Sequence, residues 1–386
     1  MKIGIVGGAL QGIEAVYLSK KAGYETVVID KRKTAPACSL ADSSETADVL
    51  KDGAAVKSIL SGCDAVIPAF EELEALKVLD SMMRETGIPF LFDMNAYLVS
   101  CSKEKSNRIM SEAGIPIPKP WPECGFPMVV KPSGQSGSVG VTIANDENDR
   151  LRGLKAVEKL GDEPVQQEFV SGKSVSVEMI GTRGKTKSYV TTEVVLDYNY
   201  DCKQVVCEPG ILPPEDDLKL AEMGERIGNA IGLCAIMDLE AIYTRNGLRA
   251  LEIDARIPSQ TPAAVYAATG INLLEELVCS GTGKSSGKTR RPGCSVYEHF
   301  IVSDGIIRTC GEKEFGHVDR PYIEKDFFGA DEAITDYGRS SHTWRATVIN
   351  RGETMQECLH KRREFITGMM ADHDLDEFID KSPEMI

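Results

Sequence analysis

The sequence predicts an α/β protein of two or three domains that opens on a Rossmann-like parallel unit. Three observations carry this. The first ninety or so residues alternate short apolar strands with helical segments. A proline-rich stretch, IPIPKPWPECGFP, then breaks the chain at residues 115–127. Residues 126–277 beyond it are rich in strands and hairpins, and 386 residues exceed one ordinary hydrophobic core.

Taken in order, Lys2 to Val6 reads as a strand, Gln11 to Ala22 as a helix closed by Gly23, and Glu25 to Ile29 as a second strand ending in Asp30. Ala65 to Pro68 is a further buried strand, Glu71 to Thr86 a helix, and Ile88 to Phe92 another strand. A helix over Lys103 to Ala113 stops at Gly114, and two more are expected near 215–232 and 272–279. Polar, glycine-rich GTGKSSGKTRRPGC (281–294) reads as a surface loop. Strands over Ser295 to Val302 and Thr343 to Ile349 follow, then a helix over Thr354 to Ile366. The expected domains are 1–98, 99–280 and 281–368, with an acidic, irregular tail over 369–386.

Composition narrows the function. A hydrophobic share of 42% with 27% charged residues is that of a globular protein. A formal charge of −15 argues against nucleic acid or an anionic membrane as partner, so an anionic ligand needs a local cationic pocket or a metal. No apolar run reaches the roughly 18 residues of a membrane helix. The chain opens directly on the strand MKIGIV, so no signal peptide is expected. The 11 cysteines form no C-x-x-C pair and the 5 histidines no metal-spaced cluster, so zinc is not expected and a reducing cytoplasm is.

Four segments carry chemistry. VGGALQG at the start resembles a dinucleotide fingerprint only in part: aligned on Gly7 and Gly12, the middle glycine is replaced by Ala9, which hinders a pyrophosphate. Asp30 stands where a ribose-binding acid would, and is kept as a candidate cofactor contact. FPMVVKPSGQSGSVGV (126–141) puts Lys131 at the end of an apolar strand, before a Gly/Ser loop from Ser133 to Gly140 that includes Ser138. Such a loop can close over phosphates with its N–H groups while the lysine reaches an oxygen. VQQEFVSGKSVSVEMI (165–180) offers, at Glu168, Phe169 and Val170, the backbone donors and apolar sides that an adenine ring needs.

The fourth is IMDLEAIYTRNGLRALEIDARIPSQTP (236–262), two strands joined at Arg245-Asn246-Gly247. Strand alternation puts Glu252, Asp254 and Arg256 on one face and Leu251 and Ile253 in the core. A two-residue Asn-Gly turn pairs Glu240 with Ile253; a three-residue loop with left-handed Gly247 pairs Glu240 with Glu252, their Cβ atoms roughly 5 Å apart. Like charges that close favour a cation between them, and hard carboxylates suit Mg²⁺. The plain alternative is a solvated acidic hairpin.

In order, the lysine, the strand-Lys-Gly loop, the E-x-x-x-G hinge and the Glu…Glu-x-Asp-x-Arg hairpin resemble the ATP-grasp superfamily of carboxylate–amine ligases. The resemblance implies an ATP-grasp fold with a Rossmann-like N-terminal domain, a central α+β nucleotide domain and a C-terminal mixed α/β domain. It puts Lys103 and Lys131 on phosphates, Glu168 to Val170 on adenine, and Glu240, Glu252 and Asp254 on Mg²⁺. Ser102 precedes Lys103 where many relatives have Asp, which leaves Lys105 as a competitor. GGALQGIEAVYLSKKAG, YDCKQVV and MDLEAIY…LEIDARIPSQTP…GINLLE further resemble the pyrrolysine-biosynthesis ligase family. That family joins (3R)-3-methyl-D-ornithine to the ε-amine of L-lysine with ATP and Mg²⁺, through an acyl phosphate. By this resemblance Gln11, Gly12 and Glu71 hold the lysine, with Glu71 or neighbouring Glu72 pairing its ammonium, while Asp201, Cys202, Ser259, Gln260 and Thr261 lie near the methylornithine. Arg256 would steady the acyl phosphate and the oxyanion. A homodimer is a further expectation. The rival readings are another ATP-grasp ligase, an oxidoreductase using the N-terminal domain, and a non-catalytic nucleotide sensor.

Overall fold

A computed structural model describes residues 1–137, 139–182, 184–283, 291–339 and 341–383. The chain divides into two units: Met1–Met94, Val194–Ile211 and Arg256–Pro383 in the first, Asn95–Glu193 and Leu212–Ala255 in the second. No helix among the described residues is long and apolar enough to cross a membrane.

In the first unit, the N-terminal segment forms a parallel sheet of Ser43–Thr46, Glu25–Asp30, Lys2–Val6 and Ala65–Pro68, in that order. Val27, Ile29 and Val66 bury one of its faces against Val56, Leu60 and Leu79. The strand expected over Ile88 to Phe92 is reduced to a single bridge from Phe90 to Val66. Helix Leu73–Thr86 begins at N-cap Glu72, so Glu71 lies in the loop before it rather than on its surface. Helix Leu10–Lys21 is buried along most of its length. Its Glu14 carboxylate accepts the Ala263 N–H at 2.6 Å, capping the first turn of helix Thr261–Thr269. Tyr17 Oη at 2.8 Å and Lys21 Nζ at 2.5 Å both donate to Glu332.

The C-terminal part of this unit is an antiparallel sheet of Cys202–Cys207, Cys294–Ser303, Trp344–Gly352, Ala330–Thr335 and Tyr322–Phe327. Phe300, Trp344, Ala346 and Val348 pack against Phe365, Ile366 and Met369 of the last helix. That helix runs over Met355–His373, past the expected stop at Ile366. The segment expected as an irregular tail continues it, then adds the strand Glu377–Ile379 in parallel to Ile306–Thr309. Its acidic composition misled because Asp380 finds buried cations far away in sequence, described below.

The second unit joins two α+β layers. Thr142–Ala144, Met128–Pro132 and Pro164–Glu168 form a small sheet under helix Glu147–Lys159, a helix that the strand-rich reading missed. Gly153 of that helix lies so close to Val130 that a Cβ would clash with it. Gly247–Asp254, Ile236–Thr244, Lys173–Thr182 and Lys185–Leu196 form the other sheet, packed against helix Pro214–Ile231. Helix Leu273–Thr282 of the first unit runs to the edge of the expected 281–294 loop, of which residues 284–290 lie outside the described ones.

Candidate functional site

The hairpin turn is neither of the two considered. Thr244 pairs with Gly247 (φ 95°), leaving Arg245 and Asn246 as the loop. Left alone, that register would put Glu240 opposite Leu251. A bulge between Glu240 and Ala241 shifts the pairing by one residue, so Glu240 lies directly opposite Glu252 and Asp254 opposite Asp238. The extra residue is Leu251, half-buried rather than in the core, while Ile253 stays fully buried.

Two lysines converge on these glutamates. Lys103 opens helix Lys103–Glu112 behind N-cap Ser102, and its Nζ lies 2.6 Å from Glu252 Oε1. The same ammonium donates to Gln135 O at 2.6 Å, inside the glycine loop. Lys105 instead turns its ammonium to Leu98 O at 3.4 Å. The loop is rooted on this helix: Lys103 N–H donates to Ser133 O at 2.9 Å and Glu104 N–H to Ser133 Oγ at 3.2 Å. Gly134 N–H is held by Asp162 Oδ2 at 3.0 Å. Ser138, a candidate contact in that loop, lies outside the described residues.

Lys131, 8% exposed, ends strand Met128–Pro132. Burial pushes its ammonium below the ordinary lysine range, Glu252 and Glu240 oppose that shift, and Lys103 adds to it. Two cations and two facing carboxylates thus share one neighbourhood. Among the described residues, no group of three or more Asp, Glu, His or Cys side chains is arranged to hold a metal ion, and Asp254 lies opposite Asp238 on the same hairpin. A pair of hard carboxylates still suits Mg²⁺, which commonly takes one or two carboxylates plus phosphate oxygens and water. At the hinge, Glu168 is tied twice to Lys119, its N–H donating to Lys119 O at 2.8 Å while its Oε2 accepts from Lys119 N–H at 3.2 Å. Phe169 N–H donates to Pro127 O at 3.3 Å, and Val170 follows it half-buried.

The first unit holds the other cluster. Glu71 Oε1 accepts from Gln11 Nε2 at 2.9 Å and from Arg256 Nε at 3.0 Å. This ion pair joins two residues far apart in sequence, Glu71 and Arg256. Gly12 is fixed by packing, since a Cβ there would collide with Gly7 O. Asp30 is engaged in its own loop: it accepts Gly8 N–H at 2.7 Å and Arg32 N–H at 2.7 Å.

Gln260 has φ 81° and ψ −56°, and Thr261 N–H donates to Ser259 O at 3.1 Å, which is a γ-turn in its strained form. Side-chain bonds hold it. Gln260 Nε2 donates to Glu312 Oε2 at 3.1 Å and to His299 Nε2 at 2.8 Å, and Ser259 Oγ donates to Glu312 Oε2 at 2.9 Å. Burial pushes His299 down to about 3, so the ring is neutral; with Nε2 accepting, its Nδ1–H donates to Thr347 Oγ1 at 2.7 Å. Asp201 accepts Lys313 N–H at 3.0 Å, beside Glu312 in sequence. Burial raises the carboxyls of both Asp201 and Glu312 above the ordinary range. Cys202 follows Asp201 and contacts Gln204 O through Sγ at 3.7 Å. Glu312 and His299 escaped the sequence reading: neither belongs to a local pattern, and a four-residue helix, Glu312–Phe315, gives no periodic signal.

Two family models match the chain: an ATP-grasp domain at residues 101–260 and a PylC-like N-terminal domain at residues 3–91. The chain is 38% identical to the 3-methyl-D-ornithine–L-lysine ligase of Methanosarcina acetivorans, over 95% of this chain and 96% of that one. It is 36% identical to the enzyme of the same name from Methanosarcina barkeri, over 80% and 82% of the two chains. Among solved structures, the N5-carboxyaminoimidazole synthetase of Staphylococcus aureus with ADP superposes with TM-score 0.71 at 19% identity, covering 94% of this chain and 96% of that one. The biotin carboxylase domain of Hydrogenobacter thermophilus 2-oxoglutarate carboxylase, with MgADP, gives 0.73 at 16% identity, covering 95% and 89%. At these identities the two structures speak for the fold alone.

Proposed function

The chain belongs to the ATP-grasp family of 3-methyl-D-ornithine–L-lysine ligases, and from that premise we propose how its residues carry the reaction. It is an ADP-forming, ATP-dependent ligase that joins (3R)-3-methyl-D-ornithine to the ε-amine of L-lysine, a step of pyrrolysine biosynthesis. The α-carboxylate attacks the γ-phosphorus of ATP and ADP leaves. The unprotonated lysine ε-amine then attacks the acyl phosphate carbon, phosphate leaves, and the nitrogen gives up one proton, keeping the other as the amide N–H. The observation that carries the residue assignment is the convergence of Lys103 and Lys131 on the facing Glu240 and Glu252.

A carboxylate needs no base to attack, so the first step depends on neutralising and aligning negative charge. Lys103 and Lys131 are the phosphate contacts in this reading, and the rooted glycine loop orders backbone donors over the same oxygens. Glu240 and Glu252 would hold Mg²⁺, which would offset the negative charge of the phosphates. Glu168, Phe169 and Val170 line the adenine. Gln11 and Glu71 orient the lysine substrate, Arg256 steadies the developing oxyanion, and Asp201, Cys202, Ser259, Gln260 and Thr261 surround the methylornithine. A cytoplasmic homodimer belongs to the same reading; light scattering of the purified chain tests the dimer.

The test is ADP release by the full chain with MgATP and each amino acid alone and together, with mass analysis of the product. A product with the mass of the two amino acids less water, formed only when both are present, supports the reading. ATP binding with no ADP release on the pair would count against it.

A further inference from the structure

We propose that Glu312 is a substrate-contacting carboxylate that, with Asp201, receives an ammonium group of the methylornithine, with Gln260 and His299 as its positioning residues. The inference rests on the ligase reading above and names a residue that reading lacks.

Glu312 is held from one side only. Its Oε2 takes Ser259 Oγ at 2.9 Å and Gln260 Nε2 at 3.1 Å, whereas its Oε1 accepts no hydrogen bond among the described residues. Gln260 cannot turn away, because its second N–H is fixed on the neutral His299, which Thr347 fixes in turn. The strained turn at Gln260 is therefore matched by a chain of bonds that ends on one carboxylate. Gly311 brings Asp201 alongside: a Cβ at that position would occupy the Asp201 carboxylate.

The charges around it call for a cation. Glu71, Asp201 and Arg256 act electrostatically on Glu312, and Arg256 is already engaged by Glu71 at 3.0 Å. Burial raises the Glu312 carboxyl first, Asp201 and Glu71 raise it further, and Ser259 and Arg256 oppose them. Two buried polar atoms beside these residues also have no hydrogen-bond partner among the described residues: Thr261 Oγ1, on a residue 6% exposed, and Gln11 Oε1. Gln11 reaches the cluster through its amide nitrogen on Glu71. A carboxylate with open lone pairs, a second carboxylate beside it and unsatisfied neutral oxygens nearby match an ammonium with its three donors. A carboxylate substrate would be repelled at that spot, so the ligand's acid group lies toward Arg256.

The experiment is steady-state ADP release by the full chain, comparing the parent with Glu312→Gln and Glu312→Asp, each substrate varied in turn. Removing a charged hydrogen-bond partner should raise KM for methylornithine roughly 10- to 100-fold. KM for ATP and for lysine should hold within about twofold, and Glu312→Asp should recover part of the loss. D-norvaline, lacking the δ-amine, and 5-aminopentanoate, lacking the α-amine, tell which ammonium is read. The analogue without it should bind parent and Glu312→Gln alike. A MgATP-induced rise in melting temperature kept by the variants shows that they are folded. An unchanged methylornithine KM in folded Glu312→Gln, or a change confined to lysine, overturns the proposal while the ligase reading stands. A parent that releases no ADP with both amino acids removes that reading, and this proposal with it.

Discussion

Replacing Asp380 by asparagine should destabilise the first unit by about 2 kcal/mol, because its part-exposed carboxylate completes a quartet of charges with buried Lys203, buried Glu298 and half-buried Arg362. Arg362 binds Glu298 through Nε at 2.6 Å and Nη2 at 2.7 Å, and Nη2 also reaches Asp380 Oδ2 at 2.9 Å. Lys203 Nζ donates to Asp380 Oδ1 at 2.5 Å, to Lys381 O at 2.9 Å and to Ser382 Oγ at 3.0 Å. Two cations face two carboxylates, with side-chain exposures of 4% for Lys203, 1% for Glu298, 16% for Arg362 and 35% for Asp380. The Asp380→Asn change keeps the shape but leaves one net positive charge, and the new amide must turn a donor toward either Lys203 or Arg362.

Breaking a fully buried pair costs about 3–5 kcal/mol, and partial exposure of Asp380 lowers that to about 2. For a cooperative unit of a couple of hundred residues this is a fall in Tm of roughly 4–8 °C. Removing Lys203 as well, in Lys203→Met/Asp380→Asn, leaves only the neutral Arg362–Glu298 pair and should recover about half the loss. Burial pushes the Asp380 carboxyl up, but Lys203 and Arg362 outweigh it and hold it below the ordinary range. A depressed carboxyl stabilises fully above its unfolded pKa of about 3.9 and loses that effect as pH falls through the folded value. The deficit of Asp380→Asn should thus be constant from pH 8 down to about 5 and shrink only in stronger acid. Thermal and urea unfolding followed by circular dichroism read all of this. A single variant within about 0.5 kcal/mol of the parent, or a double variant no better than the single, refutes the quartet.

Lys131→Met should lower kcat at least about 100-fold by removing a phosphate contact, with Tm equal to or above the parent's because burial opposes the lysine's charge. Glu252→Gln should cost a similar factor and raise the Mg²⁺ concentration needed for half-maximal ADP release; chelation by EDTA should stop the parent reversibly. Glu71→Gln should weaken lysine more than ATP, with KM for lysine raised roughly 10-fold, since it loses a charge-assisted bond to Arg256. His299→Gln should raise KM for methylornithine without changing the pH–rate profile between about pH 5 and 8, since a ring pushed to about 3 does not titrate there.

What was legible in the sequence were features set by near neighbours. Strand alternation put Glu252 and Asp254 on one face, and an apolar strand running into a glycine loop marked Lys131. The register that brings Glu240 opposite Glu252 was not legible, because it depends on a bulge at Leu251 that compensates for a shorter turn. Propensity carries no signal for one residue of slippage when either register leaves an apolar face. Glu14 is similar: it lies on helix Leu10–Lys21, yet it caps a helix that begins at Thr261, about 250 residues away. Glu312, His299 and Asp380 depend on partners brought close by a sheet whose neighbours are distant in sequence. Lys203 and Asp380 meet only because strand Glu377–Ile379 docks on Ile306–Thr309. For such residues charge and composition describe the side chain, and its surroundings decide what it does.

The most direct test of the central claim is isotope tracing with carboxyl-¹⁸O-labelled methylornithine, MgATP and L-lysine, followed by mass analysis of the released phosphate and of the amino-acid product. The account requires one labelled oxygen in the phosphate and a product of the two amino acids less water, with both lost together in Lys131→Met. Unlabelled phosphate, or ADP released with no joined product, would contradict carboxylate activation as what this chain does.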